Sequence, residues 1–184
     1  MIKNDTYSDK SYDDFLAYER VIFKAKEILS LDFNSVLDVG CASGLSLHLL
    51  RSHNNNAKFL GIDNDADMIS KAKNFFSNEA GATFKISTIE SLEDGLKFDL
   101  ILLWGLISFY DSYEELILKV ISHLSESGCI SIWSGFSNSE YDVHVSYSKD
   151  GSKYPGLNMF SLPVFVSFLE RQGLAVEIHK FTPL

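Results

Sequence analysis

The residues best placed to do chemistry are Asp38, Gly40, Cys41, Ala42 and Gly44, a carboxylate followed by a glycine-bearing turn. Val36, Leu37 and Val39 make a short apolar run before that turn, and Leu45, Leu49 and Leu50 resume at helical spacing after it. The pattern predicts a buried strand, a tight turn and a helix start. A helix start leaves backbone N–H groups unpaired, and glycines let a ligand approach them, so the turn predicts a small-molecule site. A pyrophosphate would want Gly-x-Gly-x-x-Gly, but here Ala42 stands at the second glycine, Gly44 is displaced, and Asp38 would repel the anion. A ligand with a cationic amine makes the same carboxylate favourable.

The elements around this turn follow from periodicity. Residues 1–11 are polar; Asp13 or Asp14 caps an amphipathic helix through Phe15, Leu16, Val21, Ile22, Ile28 and Leu29, and Tyr7 and Tyr12 lie where a lid over the turn would begin. The first crossover helix is expected over 44–53, a second strand over 57–62 ending before Asp63, and a helix from Met68 to Phe76 after the turn and cap at 64–67. A third strand fits 83–87, and the continuous apolar run 98–103 marks a central strand covered on both faces. A helix over 112–124 stopped by Gly128, then a fifth strand over 129–133, complete the alternation. Strand and helix alternating in this way imply a parallel sheet with right-handed crossovers and ligands at the carboxyl ends of its strands.

Beyond Gly135 the pattern changes. Tyr141, Val143, Val145 and Tyr147 alternate up to Asp150-Gly151, which predicts an inserted ribbon near the mouth of the site. Ser161 with Pro163 starts a further helix to Gly173, and Leu174, Val176 and Ile178 alternate as a sixth and last strand. The expected organisation is one domain over 1–184: a helical segment or lid (1–33), a ligand-binding core (34–134), the ribbon (135–160), and a last helix and strand (161–184).

Composition bounds the function classes. The chain has 184 residues, 46% of them hydrophobic, enough for a packed core. Its 25 acidic and 16 basic side chains leave a formal charge of −9, which disfavours nucleic acid and anionic lipid as partners. Cys41 and Cys129 read as free thiols, with no spacing that would hold a metal. The acidic start is unlike a secretory signal, and no run of about 18 apolar residues occurs. The expectation is a cytoplasmic protein without a membrane span.

The segment Val36-Leu37-Asp38-Val39-Gly40-Cys41-Ala42-Ser43-Gly44 resembles the opening motif of the class I S-adenosylmethionine-dependent methyltransferases, an acidic residue before a Gly-x-Gly-x-Gly turn, with Ala42 at the middle glycine. The family's second feature, an acid ending the next strand and a methionine five residues later, matches Gly61-Ile62-Asp63-Asn64-Asp65-Ala66-Asp67-Met68. Its third resembles Ser87-Thr88-Ile89-Glu90 and its fourth Phe98-Asp99-Leu100-Ile101. The joint order, over roughly 35–133, is far more specific than any single match. The resemblance implies an α/β, three-layer Rossmann-like methyltransferase fold with a mainly parallel sheet.

By the same resemblance, Gly40, Cys41, Ala42 and Gly44 line the methionine part of S-adenosylmethionine, with Asp38 near its ammonium group. Asp63 accepts both ribose hydroxyls, which suits a bidentate carboxylate. Asn64 and Met68 flank the adenine; Thr88 departs from the usual Asp but keeps a hydroxyl acceptor, Ile89 adds a backbone N–H, and Trp104 sits where cofactor and substrate meet. The implied activity is in-line methyl transfer to a small-molecule acceptor, releasing S-adenosylhomocysteine, without a metal. Such transfer needs alignment and dryness more than a universal catalytic residue. His144, Tyr110 and Tyr12 are candidates for a base by location alone; His48, His53, His123 and His179 read as surface or packing residues. Two other readings are an inactive S-adenosylmethionine-binding module and, less favoured, an NAD-dependent oxidoreductase. Family members usually add a strand between the fifth and sixth, which this chain lacks. The expectation is either a fragment of a longer protein or an edge completed differently, for instance by a second subunit, so that both a monomer and a homodimer are open.

Overall fold

The computed structural model describes residues 33–77, 81–150 and 152–180, and its elements follow the expected alternation. In chain order they are β1 (Ser35–Val39), α1 (Leu45–Arg51), β2 (Lys58–Asp63), α2 (Ala66–Phe75), β3 (Ala82–Ile86), β4 (Phe98–Trp104), a short 3-10 turn (Ile107–Phe109), α3 (Glu114–Ser122), β5 (Leu124–Trp133), β6 (Phe136–Ser137), β7 (Ser146–Lys149), β8 (Ser152–Pro155), β9 (Phe160–Ser161) and α4 (Leu162–Arg171). The segment expected to form an amino-terminal helix, and Tyr7 and Tyr12, expected at the start of a lid, lie outside the described residues.

Five strands form one sheet in the order β3-β2-β1-β4-β5. β1 pairs in parallel with β2 and with β4, and β2 in parallel with β3. Strand order therefore reverses between β1 and β4, the switch point outside which open α/β sheets bind ligands. Side chains alternate along β1 and β4, so Val36, Leu100 and Leu102 share one face, where they pack in a core with Leu47 and Leu50 of α1 and Ile69 and Ala72 of α2. Leu37, Val39, Ile101 and Leu103 occupy the opposite face and are also buried. A sheet buried on both faces explains the continuous apolar run at 98–103. Asp38 falls on the α1 side, in line with Val36.

Helix termini obey local chemistry. Asp65 caps α2, its Oδ1 accepting the N–H groups of Asp67 at 2.8 Å and Met68 at 3.2 Å. Ser161 caps α4, with Pro163 in the first turn. At the carboxyl end of α3 the expected stop at Gly128 is wrong. The helix ends at Ser122, where Lys97 Nζ donates to the Ser122 carbonyl at 2.9 Å and the His123 N–H donates to Val120 O at 2.9 Å. No glycine is needed to close it. Gly128 instead lies inside β5, which starts at Leu124 rather than Cys129. There a Cβ would stand 2.8 Å from Leu124 Cδ1 and 2.9 Å from the Phe98 carbonyl, so the position demands a close strand approach.

Two expectations beyond 135 also change. The alternating run from Tyr141 makes a two-stranded ladder only over Ser146–Lys149 and Ser152–Pro155, while Val143 bridges Met159. Asp150, with φ 52°, takes the left-handed conformation such a hairpin turn requires. Residues 174–180 form no strand. Leu174, Val176 and Ile178 alternate, yet among the described residues no strand lies alongside to take their backbone hydrogen bonds, and the segment is partly or fully exposed to water.

The described residues divide into two compact units, 33–104 with 113–132, and 105–112 with 133–180. The second holds the parallel pair β6–β9, the hairpin and α4. In it Asn158 is buried, its N–H donating to Ser108 O and its Nδ2 to Tyr110 O, both at 2.8 Å. Among the described residues no helix is long and apolar enough to cross a membrane.

Candidate functional site

The turn after β1 is held open by backbone geometry that few side chains tolerate. Gly40, Ala42 and Gly44 have φ of 74°, 46° and 82°, all in the left-handed region. The Ile62 carbonyl accepts the N–H groups of Gly40 at 2.8 Å and Cys41 at 3.0 Å, and Gly44 N–H closes the turn onto Cys41 O at 2.8 Å. At Gly44 a Cβ would meet the Phe84 ring at 2.8 Å; at Gly61, across from Asp38 in the β1–β2 register, it would meet Phe84 at 2.7 Å and Cys41 Sγ at 2.8 Å. Both glycines are therefore required by close packing, not only by flexibility.

Asp38 is the electrostatic centre of the turn. Its side chain is 2% exposed, and Ser46, in the first turn of α1, donates its hydroxyl to Oδ2. Burial pushes the carboxyl up to about 7; the Ser46 hydrogen bond opposes that rise and the charge of Asp63 adds to it. Cys41 is 4% exposed. Its thiol is pushed far above the usual thiol range, first by burial and then by the charges of Asp38 and Asp63. It stays protonated and packs rather than reacts.

Asp63 ends β2 with both oxygens engaged. Oδ2 accepts the Ala42 N–H at 2.9 Å and Oδ1 the Asp65 N–H at 2.9 Å. Each oxygen keeps a second lone-pair direction. Asn64 is exposed and Met68 half-buried at the start of α2. After β3, Thr88 is exposed, and Ser91 forms a small hydroxyl cluster with it: Thr88 N–H donates to Ser91 Oγ at 3.1 Å, and Ser91 Oγ lies 3.3 Å from Thr88 Oγ1. Ile89 is fully buried, which leaves its backbone rather than its side chain to meet a ligand. At the end of β4, Trp104 is half-buried and its Nε1 donates to Ser131 Oγ at 3.0 Å.

The structure thus joins Cys41 to Gly44 and Ala42 to Asp63 by hydrogen bonds, anchors Gly40 and Cys41 on Ile62 O, and sets Asp38 near enough for its charge to act on Cys41 and for that of Asp63 to act on it. Tyr110 and His144 belong to the second unit. Tyr110 accepts the Asn158 amide through its carbonyl, and the exposed His144 ring stands edge-on to Phe160 with centroids 6.2 Å apart. Tyr12 lies outside the described residues. His48 packs edge-on against Phe75, with centroids 4.9 Å apart, and His123 is buried with Nδ1 2.9 Å from Leu96 O, both in structural settings. Sequence reasoning missed Ser46 and Ser91. Each is a serine beside a motif, and only the packing of α1 or the turn after β3 reveals which group it serves.

The donor set fits S-adenosylmethionine on its own chemistry. A buried carboxylate whose partner among the described residues is one hydroxyl suits a cationic amine. A strand-end carboxylate with spare lone pairs suits two vicinal hydroxyls. A turn with three left-handed residues, two of them glycines and the third an alanine, keeps side chains small where a chain of atoms must lie against backbone.

Comparison with known proteins agrees. Residues 30–154 match the family model described as a methyltransferase domain. The chain is 27% identical over 143 residues to the malonyl-[acyl-carrier protein] O-methyltransferase of Acetivibrio thermocellus, covering 75% of this chain and 50% of that protein. It is 31% identical over 111 residues to the protein of the same name from Calditerrivibrio nitroreducens, covering 60% and 42%. It spans about half the length of the curated relatives it matches. Among solved structures, coclaurine N-methyltransferase bound to N-methylheliamine and S-adenosylhomocysteine superposes with a TM-score of 0.66 at 20% identity, covering 87% of this chain and 50% of that one. At that identity the likeness shows the fold.

Proposed function

The chain belongs to the class I S-adenosylmethionine-dependent methyltransferases, and from that premise we propose that it transfers a methyl group, in line, to a small acceptor molecule in the cytoplasm. The single observation that carries this reading is the pairing of a buried Asp38 with a strand-end Asp63 across one turn of left-handed backbone.

When bound, S-adenosylmethionine supplies an electrophilic methyl on a positively charged sulfur. The chain's part is to bind and orient. Gly40, Cys41, Ala42 and Gly44 present backbone to the methionine portion, and Asp38 faces its ammonium group. Asp63 takes the ribose hydroxyls, and Asn64, Met68, Thr88 and Ile89 border the adenine, with Trp104 at the reacting end. Segment 34–134 is the cofactor core of a single functional domain. The acidic surface supports a small acceptor over nucleic acid.

An oxygen of a carboxylate is the favoured acceptor, because the curated relatives carry the name of O-methyltransferases of a malonyl group. A carboxylate arrives without its proton at neutral pH, so no base is required. Tyr110→Phe and His144→Gln are then expected to keep kcat within about threefold for such an acceptor. The test is calorimetry with S-adenosylhomocysteine, followed by a methyl-transfer screen over carboxylate, amine and hydroxyl acceptors. Micromolar binding and turnover of a carboxylate support the proposal. Binding with no turnover across the screen favours an inactive binding module, and no binding of either sulfur nucleoside overturns the reading.

A further inference from the structure

α1 meets β1 through a polar pair, Ser46 with Asp38, as well as through apolar packing. Asp38 is buried at the end of a β-strand, where an anion is costly, and its one described side-chain partner is Ser46. Ser46 sits two residues past the glycine that ends the turn, on the helix face that covers the sheet beside Leu47 and Leu50. Its hydroxyl reaches Oδ2, while Oδ1 takes no hydrogen bond from the described residues. A hydroxyl donating to a carboxylate favours the ionised form and locks the rotation of the carboxyl plane.

We propose that Ser46 is a positioning residue that keeps Asp38 ionised and aimed at the ammonium group of the cofactor's amino-acid tail. This deepens the proposed function and rests on it. Ser46 does not itself touch the ligand; it acts through Asp38. The burial-driven rise in the Asp38 carboxyl means that this support matters in the neutral range, where a protonated Asp38 would meet the ammonium without charge. Affinity for any ligand with the tail should therefore depend on pH, and affinity for one without it should not.

The experiment measures binding of S-adenosylhomocysteine and of 5′-methylthioadenosine, which lacks the amino-acid tail, from pH 6 to 8.5, for the wild type, Ser46→Ala and Ser46→Thr. For S-adenosylhomocysteine the acid-side midpoint of the Ala variant is expected to move up by about one pH unit, giving about fivefold weaker binding at pH 7 and recovery to within about twofold at pH 8.5. The Thr variant, which keeps the hydroxyl, should follow the wild type. Methylthioadenosine should bind all three equally at every pH. An Ala profile that superimposes on the wild type, a Thr variant as displaced as Ala, or a parallel loss for methylthioadenosine overturns the role of Ser46 while cofactor binding stands. A wild type that binds neither nucleoside overturns the proposed function itself.

Discussion

Asp63 Oδ2 accepts the backbone N–H of Ala42 at 2.9 Å, which ties the carboxyl end of β2 to the middle of the turn after β1. The same carboxylate takes the Asp65 N–H through its other oxygen, so one side chain shapes both the first turn and the start of α2. An asparagine has one acceptor oxygen where aspartate has two, and no charge. Asp63→Asn is expected to weaken S-adenosylhomocysteine binding roughly 10- to 100-fold by calorimetry. Unchanged affinity would detach Asp63 from the site.

Asp38 should make the protein less stable where it is ionised. Its carboxyl moves from 3.8 in an unfolded chain to about 7 in the fold. Between those values the native state holds a proton that the unfolded state has released, so the stability it contributes is full below the lower value and lost as pH rises through the upper one. Asp38→Asn, which cannot ionise, should gain about 1–3 kcal/mol over the wild type at pH 8 in the absence of ligand and little at pH 4. Urea denaturation at the two pH values checks this. The same variant should lose most of its affinity for the cofactor product, a trade of function for stability.

Phe84 lies against Gly44 of the turn and Gly61 of β2 and is itself pinned by Phe76, with ring centroids 4.8 Å apart. Gly61→Ala is expected to cost about 2–3 kcal/mol, since the new methyl meets a ring that cannot swing away. Phe84→Leu alone should cost about 1–2 kcal/mol. Combined, the pair should fall short of the sum by about 1 kcal/mol or more, because the smaller side chain makes room for the methyl. Strict additivity in denaturant melts would show that the ring does not enforce the glycine.

Ala42 carries a side chain where the backbone is left-handed, φ 46°. A non-glycine residue there costs about 1–2 kcal/mol, of which glycine would return part to unfolded-chain entropy. Ala42→Gly should stabilise the protein by about 0.5–1 kcal/mol. A lower melting temperature in the variant would mean that the alanine methyl makes contacts worth more than the strain.

The order of the core elements was legible because each signal was local and redundant. The apolar run at 98–103 needs burial on both faces, and glycines at 40 and 44 mark left-handed turn positions wherever they fall. Gly128 misled because a glycine that ends a helix and a glycine squeezed between strands look alike in one dimension, and only Lys97, reaching the Ser122 carbonyl, reveals that α3 needs no glycine. Leu174, Val176 and Ile178 misled for a different reason. Alternation reports which side chains favour a face, whereas a strand also needs a neighbour, and none of the described strands supplies one. Within the candidate site, the motif residues stood out by spacing. Ser46 did not, since its contact with Asp38 exists only once α1 folds back over β1.

The hydrogen bond from Trp104 Nε1 to Ser131 Oγ fixes an indole at the carboxyl end of β4, half in contact with solvent. Only two tryptophans occur in the chain. Emission from a ring so constrained shifts with the polarity of its immediate surroundings, so the protein carries its own optical probe. Titrations followed by intrinsic fluorescence, with Trp133→Phe removing the second emitter, would read ligand entry without any label.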